Sequence, residues 1–453
     1  MSARSLAMAV VGHTNTGKTS LIRTLSQQRD FGEVADRGGT TRQVSAMPLA
    51  VDGRTLIELY DSPGLENAPG LIETLEQLPG SRHGGPERLR RLLDDAELSR
   101  QFDQEARVLG LMLSVDIGLV VIDAREPVLE KYQDELAILG MSARPLLAVL
   151  NFTAHADSRE NQWRQALAEV GLHNTVAFDA QVRDAATEQH LFQNLVSLLP
   201  DHQAVLQQWM DHRTTEEQQR QLASLQAIAR LLLDAAACRL YFQRAVPDDR
   251  ERTLEQLRGR VAEREQACVD TLLDLYRFGQ DDYQGDALPL DDGRWTSHPL
   301  DPESLAHYGI KTGKHLGAGA SAGALVDIST GGLSLGAGTL IGAALGAGTG
   351  LVRSAGGEWV DRARGRGRLS VDDGALKLLL TRQLALLDAL TRRGHASTRS
   401  LVAELPRDWQ SRALPATLRR ARHHPEWSSL NEERGAAEPP ESAQRELVRE
   451  LQS

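Results

Sequence analysis

Cysteine is almost absent from the 453 residues: there are two, Cys238 and Cys268. Two thiols in long stretches of helical apolar spacing make neither a disulfide framework nor a zinc-ligand pattern, so both are expected as buried helix thiols in a reducing compartment. Aromatic residues are scarce as well, at 4%. That leaves little to stack on bases and ranks nucleic acid last among partners. Positive charge is in deficit. The formal net charge is −11, which excludes a general binder of polyanions. The N-terminal run in "MSARSLAMAVVG" is short and leads straight into a glycine motif, so it reads as a first strand and not as a signal peptide. Apolar residues make up 41%, enough for a core in each of the two or three domains that the length predicts.

What is present begins where that strand ends. "GHTNTGKTS", Gly12 to Ser20, is a full G-x-x-x-x-G-K-[ST] match. Glycines let the backbone curl until successive N–H groups point inward at phosphate oxygens. On this reading Gly12, Asn15, Thr16, Gly17, Lys18, Thr19 and Ser20 hold a nucleotide's phosphates. Lys18 supplies positive charge to the β and γ phosphates, Thr19 offers a hydroxyl to Mg²⁺, and the following helix turns its positive end toward the anion. Two further pieces stand in order. "DRGGTTRQV", Asp36 to Val44, lies where a switch loop would be, and a threonine there can reach Mg²⁺ and sense the γ-phosphate. "RTLIELYDSPGLEN" runs as a strand into Asp61 and Gly64, the first able to hold Mg²⁺ and the second able to give its N–H to the γ-phosphate. Asp52-Gly53 reads as the hairpin turn ahead of that strand.

With "GHTNTGKTS", "GGTTR" and "DSPG" in this order, the first 200 residues resemble the Era/TrmE-like GTPases, a branch of the translation-factor-related P-loop GTPases. The resemblance implies a slow GTPase that uses GTP and Mg²⁺. Lys18, Thr41 and Gly64 would carry catalysis, with Thr40 the alternative to Thr41. Thr19, Thr41 and Asp61 would hold Mg²⁺. Asn15 matches the P-loop asparagine that helps hold K⁺ in the potassium-stimulated members. Leu65 stands where many GTPases place a water-positioning glutamine, so hydrolysis is expected to need K⁺, dimerisation or a partner. Glu66, Glu73 and Glu76 are the nearby carboxylates.

"DIGLVVIDAREPV" reads as a buried strand, "PVLEKYQDELAILG" as a helix, and "RPLLAVLN" and "NTVAFDA" as two more strands. Strands alternating with helices predict a mostly parallel sheet covered on both faces, an α/β P-loop NTPase fold. Between Gly64 and Asp116 the chain is longer than one switch helix needs, which predicts added helices. After the strand ending at Asn151, the family reads guanine with N-K-x-D. Here Asn151 matches, Phe152 replaces the lysine and Ala154 replaces the aspartate. Phe152 can still stack on a purine. Asp157 is a substitute carboxylate at a shifted offset. A site without its bidentate carboxylate should lose base discrimination.

The rest reads as a mainly α-helical half. Residues 201–280 are expected as two long antiparallel helices, broken near Pro247 with Asp248 or Asp249 as the next N-cap. Residues 281–428 follow, and 429–453 are expected as a mobile tail. Within 315–352, Gly338, Gly342, Gly346 and Gly350 recur every fourth residue, a glycine zipper on one helix face of a hairpin. Leu333 to Val352 is 20 uncharged residues but rich in Gly and Ala, so its insertion in a bilayer would be marginal. Three uses compete: a hairpin packed in a soluble domain, one that enters a membrane conditionally, and a homo-oligomer interface. From Arg353 to Arg422, 15 Lys+Arg stand against 7 Asp+Glu, which suits an anionic membrane surface. "DDGALKLLLTRQLALLDALTRR" reads as an amphipathic helix. The expectation is therefore a cytoplasmic nucleotide switch, able to sit at the cytoplasmic face of a membrane or on a membrane protein. The competing expectation is a nucleotide-binding scaffold with relaxed base selectivity.

Overall fold

The computed structural model describes residues 4–28, 31, 44–79, 84–180, 185–277, 290–291, 294–300, 326–328, 365–392, 412–431 and 437–452. The chain divides into two units. One is Met1–Glu217 with Thr391–Arg399, and the other is Gln218–Leu390 with Ser400–Ser453. The first unit thus reaches past the boundary expected at residue 200. The reason lies in Leu206 and Trp209, which join its hydrophobic core.

The first unit is the expected α/β fold. Its strands are β1 (Leu6–Val11), β2 (Ser45–Val51), β3 (Arg54–Asp61), β4 (Ile117–Asp123), β5 (Leu146–Asn151) and β6 (Thr175–Ala177). They form one sheet in the order β2-β3-β1-β4-β5-β6. Only β2 runs antiparallel, joined to β3 through Asp52 and Gly53, whose φ values of 51° and 77° make the tight turn read from the sequence. Every residue of β4 is buried, as its unbroken apolar run requires of a central parallel strand. Edge strand β2 instead alternates buried and exposed, and it tolerates Pro48, whose missing N–H a central strand could not spare. Helices α1 (Lys18–Ser26) and α8 (Ala185–Leu198) supply Leu21, Ile22, Leu25, Leu191 and Phe192 to one core. Helices α5 (Asp103–Ser114), α6 (Glu130–Gly140) and α7 (Glu160–Glu169) supply Val108, Met112, Leu139 and Trp163 to another. The extra length after Gly64 is helical, as expected: α2 (Ala68–Gln77), α3 (Gly85–Asp94) and α4 (Ala96–Gln101) precede α5. Leu71, Leu75, Leu89, Leu92 and Phe102 give them a small core of their own.

In the second unit several expectations need correction. The two long helices exist, α9 (Gln203–Ala237), which belongs to this unit from Gln218 onward, and α10 (Asp249–Leu275), but a strand, β7 (Arg239–Gln243), stands between them. Leu240 and Phe242 alternate with more open residues in "RLYFQ", a period of two that a helical reading passes over. Strands β8 (Leu290–Asp291) and β9 (Arg294–Trp295) pair with each other. Strand β10 (Val326–Ile328) pairs antiparallel with β11 (Arg366–Val371), which pairs with β7. Of the expected glycine-zipper hairpin at 315–352, only Val326–Ile328 is described. That piece is strand and not helix, in keeping with its two β-branched residues. The rest of the hairpin, Gly338, Gly342, Gly346 and Gly350 included, lies outside the described residues.

Helix α11 (Asp373–Arg392) is no one-sided amphipathic element. Leu376, Leu378, Leu379, Thr381, Arg382, Gln383 and Leu386 are all buried, so it is the central helix of its unit. This also alters the reading of the basic stretch. Arg382 is fully buried against Glu265 at 3.5 Å, Arg422 pairs with Asp373, and Arg420 pairs with Glu446. These arginines are committed to ion pairs within the protein. Where the last segment is described, most of it is helix and not a mobile tail: after α12 (Ala416–Ala421), helix α13 (Glu441–Gln452) buries Ala443, Leu447 and Val448. Thr417 also donates to Glu450 at 2.8 Å. The Glu- and Pro-rich approach to this helix masks an apolar stripe at helical spacing. Both cysteines are buried, as expected, with Cys268 inside α10 and Cys238 just past the end of α9. Burial pushes the Cys238 thiol up to about 12. Among the described residues no helix is long and apolar enough to cross a membrane.

Candidate nucleotide site

The sheet registers bring the motifs together. Val10 of β1 lies opposite Asp61 of β3, and Asp123 of β4 lies opposite Asn151 of β5. The loops that leave the carboxyl ends of these parallel strands therefore share one edge, where open α/β sheets hold ligands.

The P-loop leaves β1 at Gly12 and enters α1 through Gly17. Gly17 has φ of 93°, and a Cβ there would lie 2.2 Å from Asn151 Nδ2, so no other residue fits without moving the loop. Asn15 is exposed with φ of 66°, a left-handed conformation that asparagine tolerates. Thr16 is buried and donates to the His13 carbonyl at 3.0 Å. Lys18 is buried too. Its Nζ donates to the carbonyl oxygens of Gly12 (3.1 Å) and His13 (2.7 Å). Burial pushes the Lys18 ammonium down to about 8, against the opposing pull of the Asp61, Glu135 and Glu66 carboxylates. Ser20, in the first turn of α1, is half-buried.

Asp61 ends β3 almost fully buried, and Thr19 donates its hydroxyl to Asp61 Oδ2 at 2.6 Å. A hydroxyl and a carboxylate converging beside a buried lysine form a hard-oxygen donor set that suits Mg²⁺. The DSPG loop then passes directly over the P-loop. A Cβ on Gly64 would meet Thr14 Oγ1 at 2.3 Å and the Thr14 nitrogen at 2.7 Å, so glycine is required by close approach. Ser62 donates to the Val10 carbonyl at 2.8 Å and fixes the start of the loop. Leu65 has no exposed surface and packs in the core with Val108 and Met112. It cannot face a water. Glu66 is exposed and accepts from Thr14 Oγ1 at 3.4 Å. Glu73 and Glu76 lie further along, in α2. Thr40 and Thr41 lie outside the described residues.

Asn151 is buried and ties three loops. Its Nδ2 donates to the Thr16 carbonyl (2.8 Å), and its Oδ1 accepts from the N–H groups of Phe152 (2.9 Å) and Ala180 (3.0 Å). Thr24 of α1 closes the circuit by donating to the Ala180 carbonyl at 2.7 Å. Phe152 has φ of 59°, and its ring tip comes within 3.7 Å of the Cβ position of Gly17. On its face lies the Arg125 guanidinium, 3.8 Å from the centroid, held to Asp123 by two Nε contacts and one from Nη2 at 2.6 Å. Asp157 is far less engaged. Its side chain is 78% exposed, and it lies 3.4 Å from His155. Ala154 is exposed.

Sequence reasoning passed over two bracing groups. His13, inside the P-loop, meets Glu135 of α6 at 2.6 Å and Lys131 at 3.2 Å. Burial pushes the Glu135 carboxyl up, and His13 opposes that shift. Gln104 and Glu105 of α5 hold the DSPG loop. Both pairings join residues far apart in the chain, and only a histidine at an unusual P-loop position hints at the first.

Residues 7–152 match the family model described as 50S ribosome-binding GTPase, and residues 164–453 match the model described as a domain of unknown function, DUF3482. Over 144 residues the chain is 31% identical to the tRNA modification GTPase MnmE of Pelagibacter ubique, covering 31% of this chain and 26% of that protein. Over 142 residues it is 28% identical to MnmE of Streptococcus suis, covering 31% of this chain and 24% of that protein. The chain thus spans about a quarter of the length of the curated relatives it matches. Among solved structures, Era in complex with MgGDPNP and a piece of 16S ribosomal RNA aligns with 39% of this chain and 51% of that one, at 17% identity and a TM-score of 0.28. On the family match and the MnmE identities, the first unit carries a P-loop GTPase domain, and the Era/TrmE likeness is supported over that stretch.

Proposed function

The chain belongs to the DUF3482 family, and from that premise we propose that it is a GTP-binding and GTP-hydrolysing switch whose nucleotide state is passed to the helical unit. The observation that carries this reading is the 2.6 Å pairing of Thr19 with Asp61 beside the buried Lys18. These two oxygen donors, joined by Thr41 from the switch loop, would hold Mg²⁺, and Lys18 would bind the β and γ phosphates. Bound Mg²⁺ neutralises charge that develops on the phosphate oxygens. The backbone N–H groups between Gly12 and Ser20 cradle the phosphates, and the Gly64 N–H senses the third.

Turnover is slow unaided, because the buried Leu65 cannot orient water. Asn15 offers an exposed amide for K⁺ beside the phosphates, and Glu66 is the nearest carboxylate of the loop. The base stacks on Phe152, whose ring is held flat by Arg125. Asp157 reaches the base only if the loop from Asn151 is rebuilt. Ala154 favours a second reading, a nucleotide-binding scaffold with relaxed base selectivity and little turnover. The downstream partner, read from 315–352 and from the basic stretch Arg353 to Arg422 after it, is a second copy or an anionic surface at the cytoplasmic face of a membrane.

Equilibrium binding of GTP, GDP, ATP and ADP with Mg²⁺, in K⁺ and in Na⁺, tests these readings together with steady-state hydrolysis. Guanine preference with K⁺-stimulated turnover is the expected result. Equal binding of adenine and guanine nucleotides without turnover would favour the scaffold. Failure to sediment with anionic vesicles in any nucleotide state would remove the membrane partner.

A further inference from the structure

We propose that Gln104 and Glu105 are positioning residues that set how strongly the DSPG loop responds to the third phosphate of a bound nucleotide. The proposal rests on the switch reading above and assigns its sensitivity to α5.

Four contacts converge on the loop from this one helix. Gln104 Nε2 donates to the Gly64 carbonyl at 2.8 Å. Glu105 Oε1 accepts from the backbone N–H groups of Glu66 (3.2 Å) and Asn67 (2.9 Å). Leu65, between them, is sunk into the core with Val108 and Met112 of the same helix. Every residue from Gly64 to Asn67 is thereby tied to α5, across a chain separation of about 40 residues. Glu105 is only 5% exposed, so its contacts with the two N–H groups are charge-assisted hydrogen bonds sheltered from water.

The loop has a matching constraint on its other side. Gly64 lies so close to Thr14 that a Cβ would overlap the P-loop backbone. Gly64 must turn its N–H toward the γ-phosphate, and the peptides that follow it are already fixed by Gln104 and Glu105. A preorganised loop loses little conformational freedom when that phosphate arrives, whereas a released loop must be ordered by it. A diphosphate makes no such demand. The clamp should therefore act on triphosphate affinity and leave diphosphate affinity alone. Because the helices α2 to α4 are strung between the loop and α5, the same contacts make this helical insertion the first element to feel the nucleotide state.

The test uses the full chain with Mg²⁺ and compares Gln104→Ala, Glu105→Ala and Glu105→Gln with wild type. Dissociation constants for GDP and a non-hydrolysable GTP analogue are measured beside the melting temperature of each protein. Gln104→Ala and Glu105→Ala should each weaken the triphosphate analogue about tenfold, the cost of ordering roughly one more residue, with GDP binding unchanged. Glu105→Gln should retain the analogue's affinity, since its amide oxygen still accepts both N–H groups. Equal losses for both nucleotides, accompanied by a lower melting temperature, would mean that the contacts only support the fold and would overturn the proposal. Alanine variants at Gln104 and Glu105 that both keep the wild-type ratio of the two affinities would also overturn it. A wild type that does not distinguish the two nucleotides would sink the switch reading itself, and the clamp with it.

Discussion

The two units bury their polar groups in different ways. In the first, Lys18, Asp61 and Asn151 are buried beneath loops at the strand ends, and much of their bonding is to loop backbone: the Gly12, His13 and Thr16 carbonyls and the Phe152 and Ala180 N–H groups. In the second, buried side chains meet side chains from distant elements. Glu265 of α10 faces Arg382 and Gln383 of α11, and Arg382 donates to Ser297 at 2.7 Å. Asp234 of α9 pairs with Arg264 at 2.7 Å and accepts from the Ser429 hydroxyl at 2.9 Å. A buried group satisfied by loop backbone can exchange that partner for a ligand at small cost. A buried group satisfied by side chains on packed helices fixes how those helices lie. Substitutions should therefore separate: binding without stability in the first unit, stability without binding in the second.

The largest effect is expected from Arg382→Met. Arg382 has no exposed surface, and its removal leaves the Glu265 carboxylate buried without its cation. The expected loss is about 3–5 kcal/mol in urea unfolding of the helical unit, with nucleotide affinity of the folded protein unchanged. A parallel loss of nucleotide affinity would show that the two units do not divide the work in this way. Lys18→Ala is the opposite case. It should lower nucleotide affinity at least about a hundredfold, roughly 3 kcal/mol, while the melting temperature of the ligand-free protein holds or rises slightly, because a desolvated ammonium has been removed.

A smaller effect should appear with pH. Burial pushes the Glu265 carboxyl up to about 7, against the pull of Arg382 and Gln383. Its ordinary value is 4.5, so between these limits the folded protein binds a proton that the unfolded chain has released. Stability from this group is therefore greatest at low pH and falls as pH rises from about 4.5 to 7, by roughly 3 kcal/mol in total. Glu265→Gln should flatten that segment of the stability curve, measured by urea unfolding at several pH values. An unchanged slope in the variant would assign the dependence to another group.

The same contrast explains what could be read from the sequence. The sheet was legible because β4 is an unbroken apolar run and the P-loop is a local motif whose spacing is its chemistry. Asp61 and Asn151 were found because they end such strands. Gln104, Glu105 and Glu135 were not, since each works on a loop far away in sequence and sits on a helix where a carboxylate or amide ordinarily faces water. In the helical unit, the difficulty was period. "RLYFQ" is too short to break a helical pattern, and α11 is apolar on so many sides that its spacing suggests one buried face where there are several. The tail misled through composition, its prolines and glutamates outweighing the stripe of Leu447, Val448 and Leu451 that packs it down.

The least effect, and the sharpest for the base end of the site, should come from Ala154→Asp. The phosphate end brings Lys18, Thr19, Asp61 and Gly64 together, with Thr41 outside the described residues, whereas the base end keeps Asn151 as the tie between loops but lacks the carboxylate that reads two N–H groups at once. Ala154 is exposed, so an aspartate there incurs no burial cost and tests chemistry alone. If the Phe152–Arg125 stack places a purine where the family would, the new carboxylate should raise the guanine-over-adenine preference about tenfold, within the 1–3 kcal/mol that a bidentate contact to a base edge contributes. Competition of ADP against bound GDP measures it directly. An unaltered ratio would mean that the loop after Asn151 carries the base elsewhere. In that case Arg125, with its planar donors fixed by Asp123, becomes the next group to remove.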